Sequence, residues 1–199
     1  DLSARELATW LEPFQRPIAI VNTCSASAPF IQHLSAPDRV IVTATKSGSE
    51  YQYARFGEFL AKSIDDPLAD LDKDEQTSLR EAFIRANRQT EEFYRAQGRL
   101  ATEHPLLDDN GDRLGSAADL LQQAPFTLQV DGSLAQKFHL RKHHRELELS
   151  SSQLAERDRL ERELLELRTQ QRNFSEEEYL NRLEALLFPL AKLYLEHEP

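Results

Sequence analysis

Residues 17–30 read PIAIVNTCSASAPF, an apolar run that ends in the only cysteine of the chain. A second apolar run, RVIVTAT at 39–45, follows after a segment long enough for a short helix. Both runs are continuous rather than alternating, which is typical of strands buried on both faces, as in a parallel sheet covered by helices. The pattern therefore predicts a strand–helix–strand unit of an α/β domain, with Cys24 at the carboxyl end of the first strand.

The composition describes an acidic chain that is large enough to form a hydrophobic core. Its 199 residues are 40% hydrophobic and carry a net charge of −10. A chain this acidic is not expected to bind nucleic acid through a broad basic surface. One cysteine excludes an internal disulfide, and no apolar run is long enough to span a membrane. Both a cytoplasmic and an exported location are compatible with these features.

Helical patterns flank the two strands. Ser3 and Glu6 form a capping box that predicts a helix over 3–12, with Leu7, Trp10 and Leu11 on its apolar face. A second helix is expected over 53–64. A third begins at the Ser78–Glu81 capping box and ends at Gly98. Residues 102–116 are interpreted as a polar loop, 119–126 as a short helix and 126–130 as a strand.

The composition changes near Ser150, where charged, leucine-rich segments begin. Two stripes of apolar residues at helical spacing predict an antiparallel hairpin over 150–199, and Pro189 is expected to kink or interrupt its second helix. The stripes are Leu160, Leu164 and Leu167, then Leu180, Leu183, Leu187, Leu190 and Tyr194. Because a two-helix core is weakly stable alone, we expect the hairpin to self-associate, bind a protein partner or pack on the preceding domain.

Four segments carry a resemblance to a known family. IAIVNTCSASAPFI, RVIVTATKSGSEYQYARFGEFLAKSI, ADLDKDEQTSLREAF and TEHPLLDDNGDRLG, in this order, resemble the bacterial legumain-like branch of the caspase–legumain–gingipain superfamily of cysteine peptidases. The resemblance implies a three-layer α/β/α caspase-like domain with a mostly parallel sheet, of which residues 1–125 are the C-terminal part. Residues 126–149 would then be a linker and 150–199 the hairpin.

The resemblance assigns Cys24 as the nucleophile of peptide-bond hydrolysis and its backbone N–H to the oxyanion hole. The histidine base of that family lies in a His-Gly pair upstream of the cysteine, and the 23 residues before Cys24 contain no such pair. The chain begins with Asp1 and contains no methionine, so we expect a fragment that lacks the base and is inactive by itself. His33 lies downstream and is interpreted as a surface residue.

The same resemblance places a substrate-pocket wall at Ser47, Gly48 and Glu50, next to a bound protein or peptide. An inward Glu50 would pair with a basic P1 side chain, whereas an outward one would be solvated. The chain also departs from the family, with Asn22 in place of an acidic residue and no glycine after the cysteine. The alternative is therefore an inactive peptidase-like interaction or scaffolding module that acts through its helical hairpin.

An acidic loop is a second candidate site. Read as an EF-hand loop, it places five residues at ligand positions 1, 3, 5, 7 and 12: Asp70, Asp72, Asp74, Gln76 and Glu81. This spacing predicts a possible calcium site and a calcium-responsive protein, although Glu75 replaces the usual glycine at position 6. The alternative is an acidic surface loop that caps a helix. Asp108, Asn110 and Asp112 are interpreted as a turn, and His139 with His143 as part of a solvated linker.

Overall fold

The two apolar runs form neighbouring parallel strands in the computed structural model, which describes residues 2–123, 131–141 and 149–195. The chain divides into two compact units at the boundary between Arg141 and Lys142. In chain order the first unit contains α1 (Ala4–Leu11), β1 (Ile18–Asn22), α2 (Pro29–Leu34), β2 (Arg39–Thr43), α3 (Phe56–Ser63), β3 (Thr77–Ser78), α4 (Leu79–Ala96), β4 (Leu106–Asp108), α5 (Ala118–Gln123) and β5 (His139–Arg141). The first unit is thus mixed α/β.

The main sheet has the order β1-β2-β4. β1 and β2 pair in parallel from Ile18 opposite Arg39, and α2 connects them, which confirms the predicted strand–helix–strand unit. β4 runs antiparallel to β2, with Leu107 opposite Val42. Prediction of a polar loop over 102–116 was therefore wrong for β4. Turn-forming residues surround its two leucines, yet Leu107 is fully buried beside the core.

Helices cover both faces of this sheet. Val40 and Val42 belong to a core cluster with residues of α3 and α4, in which the rings of Phe56 and Phe83 meet edge to face at 5.7 Å. Ile41, which points to the other face, packs with residues of α2 and α1. The continuous apolar character of the RVIVT run follows from this two-sided burial.

The ends predicted for α1 and α4 agree with the structure, whereas α3 begins at Phe56 and not at residue 53, and one predicted apolar face is wrong. Capping boxes at Ser3 and Ser78 begin α1 and α4, and Gly98 follows α4 with a φ of +63°. Trp10, predicted to face inward, is 63% exposed. The inward face of α1 instead runs through Leu7, Ala8 and Leu11, which rotates Trp10 towards solvent.

Residues 131–141, expected to belong to a linker, pack within the first unit. β5 pairs antiparallel with β3. The Asp109 carboxylate accepts the N–H groups of Gly132, Leu134 and Ala135 at 2.8, 2.8 and 2.7 Å. In return, Asp131 accepts the Asp109 N–H at 2.9 Å. We call this reciprocal arrangement the aspartate tie. The predicted strand over 126–130 lies outside the described residues, as does His143.

The second unit contains α6 (Ser151–Thr169) and α7 (Glu176–Leu195), which are joined by a short connection and pack on each other. The helical hairpin is thus present, and α7 continues through Pro189 without interruption. Leu160 and Leu167 are buried, but Leu180 and Leu187 of the predicted second stripe are exposed. Within the described residues, no helix combines the length and apolar character needed to cross a membrane.

Candidate functional site

Cys24 lies just beyond the carboxyl end of β1 and is exposed. Its backbone N–H donates to Oδ1 of Asn22 at 3.1 Å, so the turn folds back on the last residue of the strand. Ala26 has a φ of +54°, in the left-handed region that favours glycine. The chain therefore adopts a glycine-type conformation after the cysteine although it has no glycine there.

The turn after Cys24 is fastened to the segment that follows β2. The Ala26 N–H donates to the Glu50 carbonyl at 2.8 Å, and the Ser25 hydroxyl donates to the Gln52 carbonyl at 2.7 Å. Deeper in the unit, the Ser27 hydroxyl accepts the Ala44 N–H at 3.0 Å. The small residues after Cys24 allow this close approach. The segments that follow β1 and β2 therefore lie side by side.

The residues predicted as a pocket wall lie in that same segment. Ser47 is half-buried and its hydroxyl lies 2.9 Å from the Ser49 hydroxyl. Gly48 lies against Pro29, since a Cβ at position 48 would come within 3.1 Å of the proline Cγ. Ser47, Gly48 and Glu50 thus share one loop, fastened beside Cys24 through the Glu50 carbonyl.

Glu50 is directed towards other protein groups and not towards solvent. Its side chain is 13% exposed. One carboxylate oxygen lies 2.6 Å from Nδ1 of His104, and the other accepts the Lys46 N–H at 3.0 Å. Each oxygen thus has a protein partner, and the low exposure of the side chain limits direct access by a basic P1 side chain.

His104 was not identified from the sequence. It precedes β4 in the segment interpreted as a polar loop, and its partner Glu50 is 54 residues away. Its neighbour Glu103 is buried and accepts the N–H groups of Arg55 and Phe56 at 2.8 and 2.9 Å, where α3 begins. No side chain next to the start of α3 caps this helix. That gap in the sequence pattern was the signal that an acid from a distant segment could supply the cap.

The nucleophile and a base do not meet in the described part of the chain. Within residues 2–123, 131–141 and 149–195, no imidazole forms a hydrogen bond with Cys24. His33 is exposed on α2, as predicted. His104 lies two residues before β4 and Cys24 two residues beyond β1, with β2 between those strands. The two residues thus lie at the same end of the strands and do not contact each other.

The acidic loop brings together three of the five predicted calcium ligands. Asp70, Asp72 and Asp74 each offer a carboxylate oxygen, and these oxygens lie within 4.8 Å of one another. Oδ1 of Asp70 is buried and has no hydrogen-bond partner. Oδ2 of the same residue accepts the N–H of Glu75, whose φ is +65°. Glu75 thus adopts the backbone conformation that position 6 of the calcium loop requires.

The last two predicted ligands are engaged with protein groups. Glu81 is 2% exposed, and its carboxylate accepts N–H groups of Leu71 and Ser78, both at 2.9 Å. The Gln76 side chain donates to Asp74 at 3.2 Å. Burial, assisted by the negative charges of Glu81 and Asp74, raises the pKa of Asp72 to about 6. The ionised form of Asp72 is therefore less stable in this loop than in water.

The second acidic segment turns after Asp109, as predicted for Asn110 and Asp112, whereas Asp108 is the buried last residue of β4. Asn110 accepts the Asp112 N–H at 2.9 Å, and Asp112 accepts the Leu114 N–H at 2.7 Å. His139 belongs to β5 and not to a linker.

Comparison with family models, curated proteins and solved structures found no match to this chain.

Proposed function

We propose that this chain is part of a cysteine endopeptidase with a three-layer α/β/α caspase-like domain, and that Cys24 is its nucleophile. The main support is the exposed thiol at the carboxyl end of β1, next to the end of the parallel strand β2. In open α/β sheets, ligands bind in the crevice beyond the carboxyl ends of the strands. The left-handed Ala26 adds support, because strained backbone is common at active sites.

A thiol needs a base or an electropositive setting to become a good nucleophile. Within the described residues β1 has a neighbouring strand on one side only. We place the histidine base on a strand that pairs with the other edge of β1, supplied from outside this chain. The Asn22 carboxamide would then have to release the Cys24 N–H before that group could stabilise an oxyanion.

The substrate in this proposal is a protein or peptide that lies against the segment after β2. Tyr51 and Tyr53 are 74% and 75% exposed there. Aromatic side chains of this kind offer a large contact area with one polar end. They follow the Ser47–Glu50 loop directly, so one segment would supply both the pocket wall and the contact surface.

Peptide cleavage by the complete translated protein tests the proposal. Fluorogenic peptides with Arg, Lys, Asn or Asp at P1 should be hydrolysed by the native protein and not by Cys24→Ala. His33→Gln, an exposed change on α2, should retain activity. The present chain alone should react with a thiol-directed probe no faster than an unactivated thiol. Rapid, selective labelling of Cys24 in this chain would refute an external base.

An interaction module is the alternative, and the surface of α7 favours it. Leu180, Leu187 and Phe188 are 52%, 41% and 72% exposed. Residues 180, 184, 187 and 188 share one side of a helix, so the three apolar side chains form an exposed stripe that Glu184 interrupts. If this stripe mediates self-association, sedimentation should show a smaller species for Leu187→Gln/Phe188→Gln than for the native chain. The same species for both would exclude this interface.

Calcium binding by the acidic loop is a second candidate function. A cluster of carboxylates alone does not argue for an ion, but the buried Asp70 Oδ1 without a donor does. A cation bound between Asp70, Asp72 and Asp74 would satisfy that oxygen and offset the mutual repulsion that contributes to the raised pKa of Asp72. Glu81 would then have to exchange its N–H partners for the ion.

Calorimetric titration with calcium decides this second candidate. We expect heat with the native chain at up to millimolar calcium and none with Asp70→Asn. Asp112→Asn, in the other acidic turn, serves as the matched control and should titrate like the native chain. Absence of heat with native protein would remove calcium from consideration.

A further inference from the structure

The sequence placed Glu50 in the predicted pocket wall but gave His104 no role, and the pair lies at the end of the sheet that carries Cys24. We propose that His104 recognises the side chain of the substrate residue at P1, that Glu50 is its positioning residue, and that the preferred side chain is basic. This inference rests on the proposed peptidase function, since it names the specificity group of the same site.

The hydrogen bond fixes which nitrogen of the imidazole faces outward. An ionised carboxylate only accepts hydrogen bonds, so Nδ1 of His104 must donate to Glu50 across the 2.6 Å contact. In the neutral imidazole, Nε2 is then the acceptor. The His104 side chain is 43% exposed, whereas that of Glu50 is 13% exposed. An approaching cation disfavours a protonated imidazole, so towards a basic ligand the pair offers the neutral His104 ring, with Nε2 as acceptor, and the less exposed Glu50 carboxylate on the Nδ1 side.

Such a pair favours a ligand that carries a positive charge and N–H donors. The neutral imidazole and the carboxylate together bear one negative charge, and Nε2 offers a directed acceptor for a guanidinium or ammonium group. Glu50 itself already accepts from His104 and from the Lys46 N–H. Because Glu50 is the less exposed of the two side chains, a basic side chain would contact His104 and be attracted by the negative charge of the carboxylate beside it.

The surrounding contacts keep the pair in place. The Glu50 carbonyl accepts the Ala26 N–H, which ties the pair to the turn after Cys24. On the other side, the neighbouring Glu103 accepts two N–H groups where α3 begins. The guanidinium of Arg55 lies over the Phe93 ring, 4.5 Å from its centroid. The two residues of the pair are thus anchored through separate backbone contacts.

Two substitutions of His104 distinguish the role of Nε2 from that of Nδ1. His104→Asn retains a donor near the position of Nδ1 but removes Nε2, whereas His104→Gln extends a polar group to the position of Nε2. In the complete protein we expect His104→Asn to lower the kcat/KM ratio between P1 arginine and P1 norleucine peptides about tenfold, which is the size of one charge-assisted hydrogen bond. His104→Gln should restore most of that preference. The control is His33→Gln on the exposed side of α2, and it should leave the ratio unchanged.

Imidazole nitrogen NMR on the present chain provides a readout that does not depend on hydrolysis. We expect His104 to be protonated at Nδ1, and its Nε2 resonance to shift with N-acetyl-arginine amide but not with N-acetyl-norleucine amide. An Nε2-protonated tautomer, equal shifts with both amides, or an unchanged selectivity ratio in His104→Asn would overturn the inference. If no peptide is cleaved at all, the peptidase proposal fails, and the NMR titration still decides whether His104 recognises a basic group.

Discussion

The aspartate tie gives the sharpest prediction about the stability of the first unit. Asp109 is 7% exposed, and its carboxylate accepts three backbone N–H groups from residues 132–135. Replacing it with asparagine keeps the shape but removes the charge and converts one acceptor oxygen into a donor. At least one buried N–H then loses its partner, at about 1–3 kcal/mol, and the remaining bonds lose their charge assistance.

Relief of a buried charge opposes this loss, because burial raises the pKa of Asp109 above its usual range. We therefore expect a net destabilisation of about 3 kcal/mol for Asp109→Asn. With a urea dependence of about 2 kcal/mol per molar, the unfolding midpoint should fall by about 1.5 M. Hydrogen exchange read by mass spectrometry should show faster exchange in peptides that cover 131–141.

The matched control is Asp112→Asn in the exposed turn, which should change stability by about 0.5 kcal/mol at most. Equal midpoints for the two variants would refute the reasoning. So would an Asp109→Asn variant in which residues 131–141 keep their native protection, because the loss would then not come from the tie.

Two further predictions concern pH and packing. Burial raises the pKa of Asp131 to about 6, against 3.8 for an unperturbed aspartate, so the folded unit takes up a proton as the pH falls from 7 to 5. Asp131 should thus add about 1 kcal/mol to the unfolding free energy over that interval, and Asp72, whose pKa is also about 6, adds to the same rise. In urea titrations the rise should be about 1 kcal/mol smaller in Asp131→Asn than in the native chain, and an equal rise would contradict the assignment. Gly57→Ala places a Cβ 2.7 Å from the Thr23 Cβ, immediately before Cys24. Although alanine has the better helix propensity, we expect Gly57→Ala to lower the free energy of unfolding by about 1–2 kcal/mol. The control Lys62→Ala on the same helix should change it by about 0.5 kcal/mol at most. A Gly57→Ala variant with native thermal stability would rule out this contact.

Local patterns predicted much of the secondary structure. The capping boxes at Ser3 and Ser78 begin helices because each one satisfies backbone groups within three residues. The two apolar runs become parallel strands because both faces of β2 are covered. These features depend on short-range chemistry or on a periodicity that a single segment displays.

The remaining features depend on partners that are distant in the sequence. β4 is three residues long and β3 is two, so neither displays a periodicity of its own. Trp10 faces solvent because α1 packs through Leu7, Ala8 and Leu11. Trp10 itself lies to one side of that face. The Glu50–His104 pair and the Glu103 contact with α3 join residues about 50 positions apart, and no local pattern marks such pairs.

The candidate site was predictable only as a location. Cys24 at the end of a strand and Glu50 in the next loop follow from the order of the elements. The direction of the Glu50 side chain does not, because it depends on His104 and on the Lys46 N–H. In the acidic loop the spacing indicated which carboxylates converge, whereas the engagement of Glu81 with Leu71 required the three-dimensional arrangement.

The aspartate tie also determines how the first unit can be shortened. A boundary at residue 125, where the sequence suggested that the domain ends, would remove all three N–H partners of Asp109 and the strand that pairs with β3. The Asp109 carboxylate would lose these donors, and Ser116 would lose the Asp131 oxygen that its hydroxyl contacts. A truncated protein intended for crystallisation or for probe labelling of Cys24 should therefore extend to Arg141 at least, since a shorter one would expose a damaged core and bias any comparison of thiol reactivity.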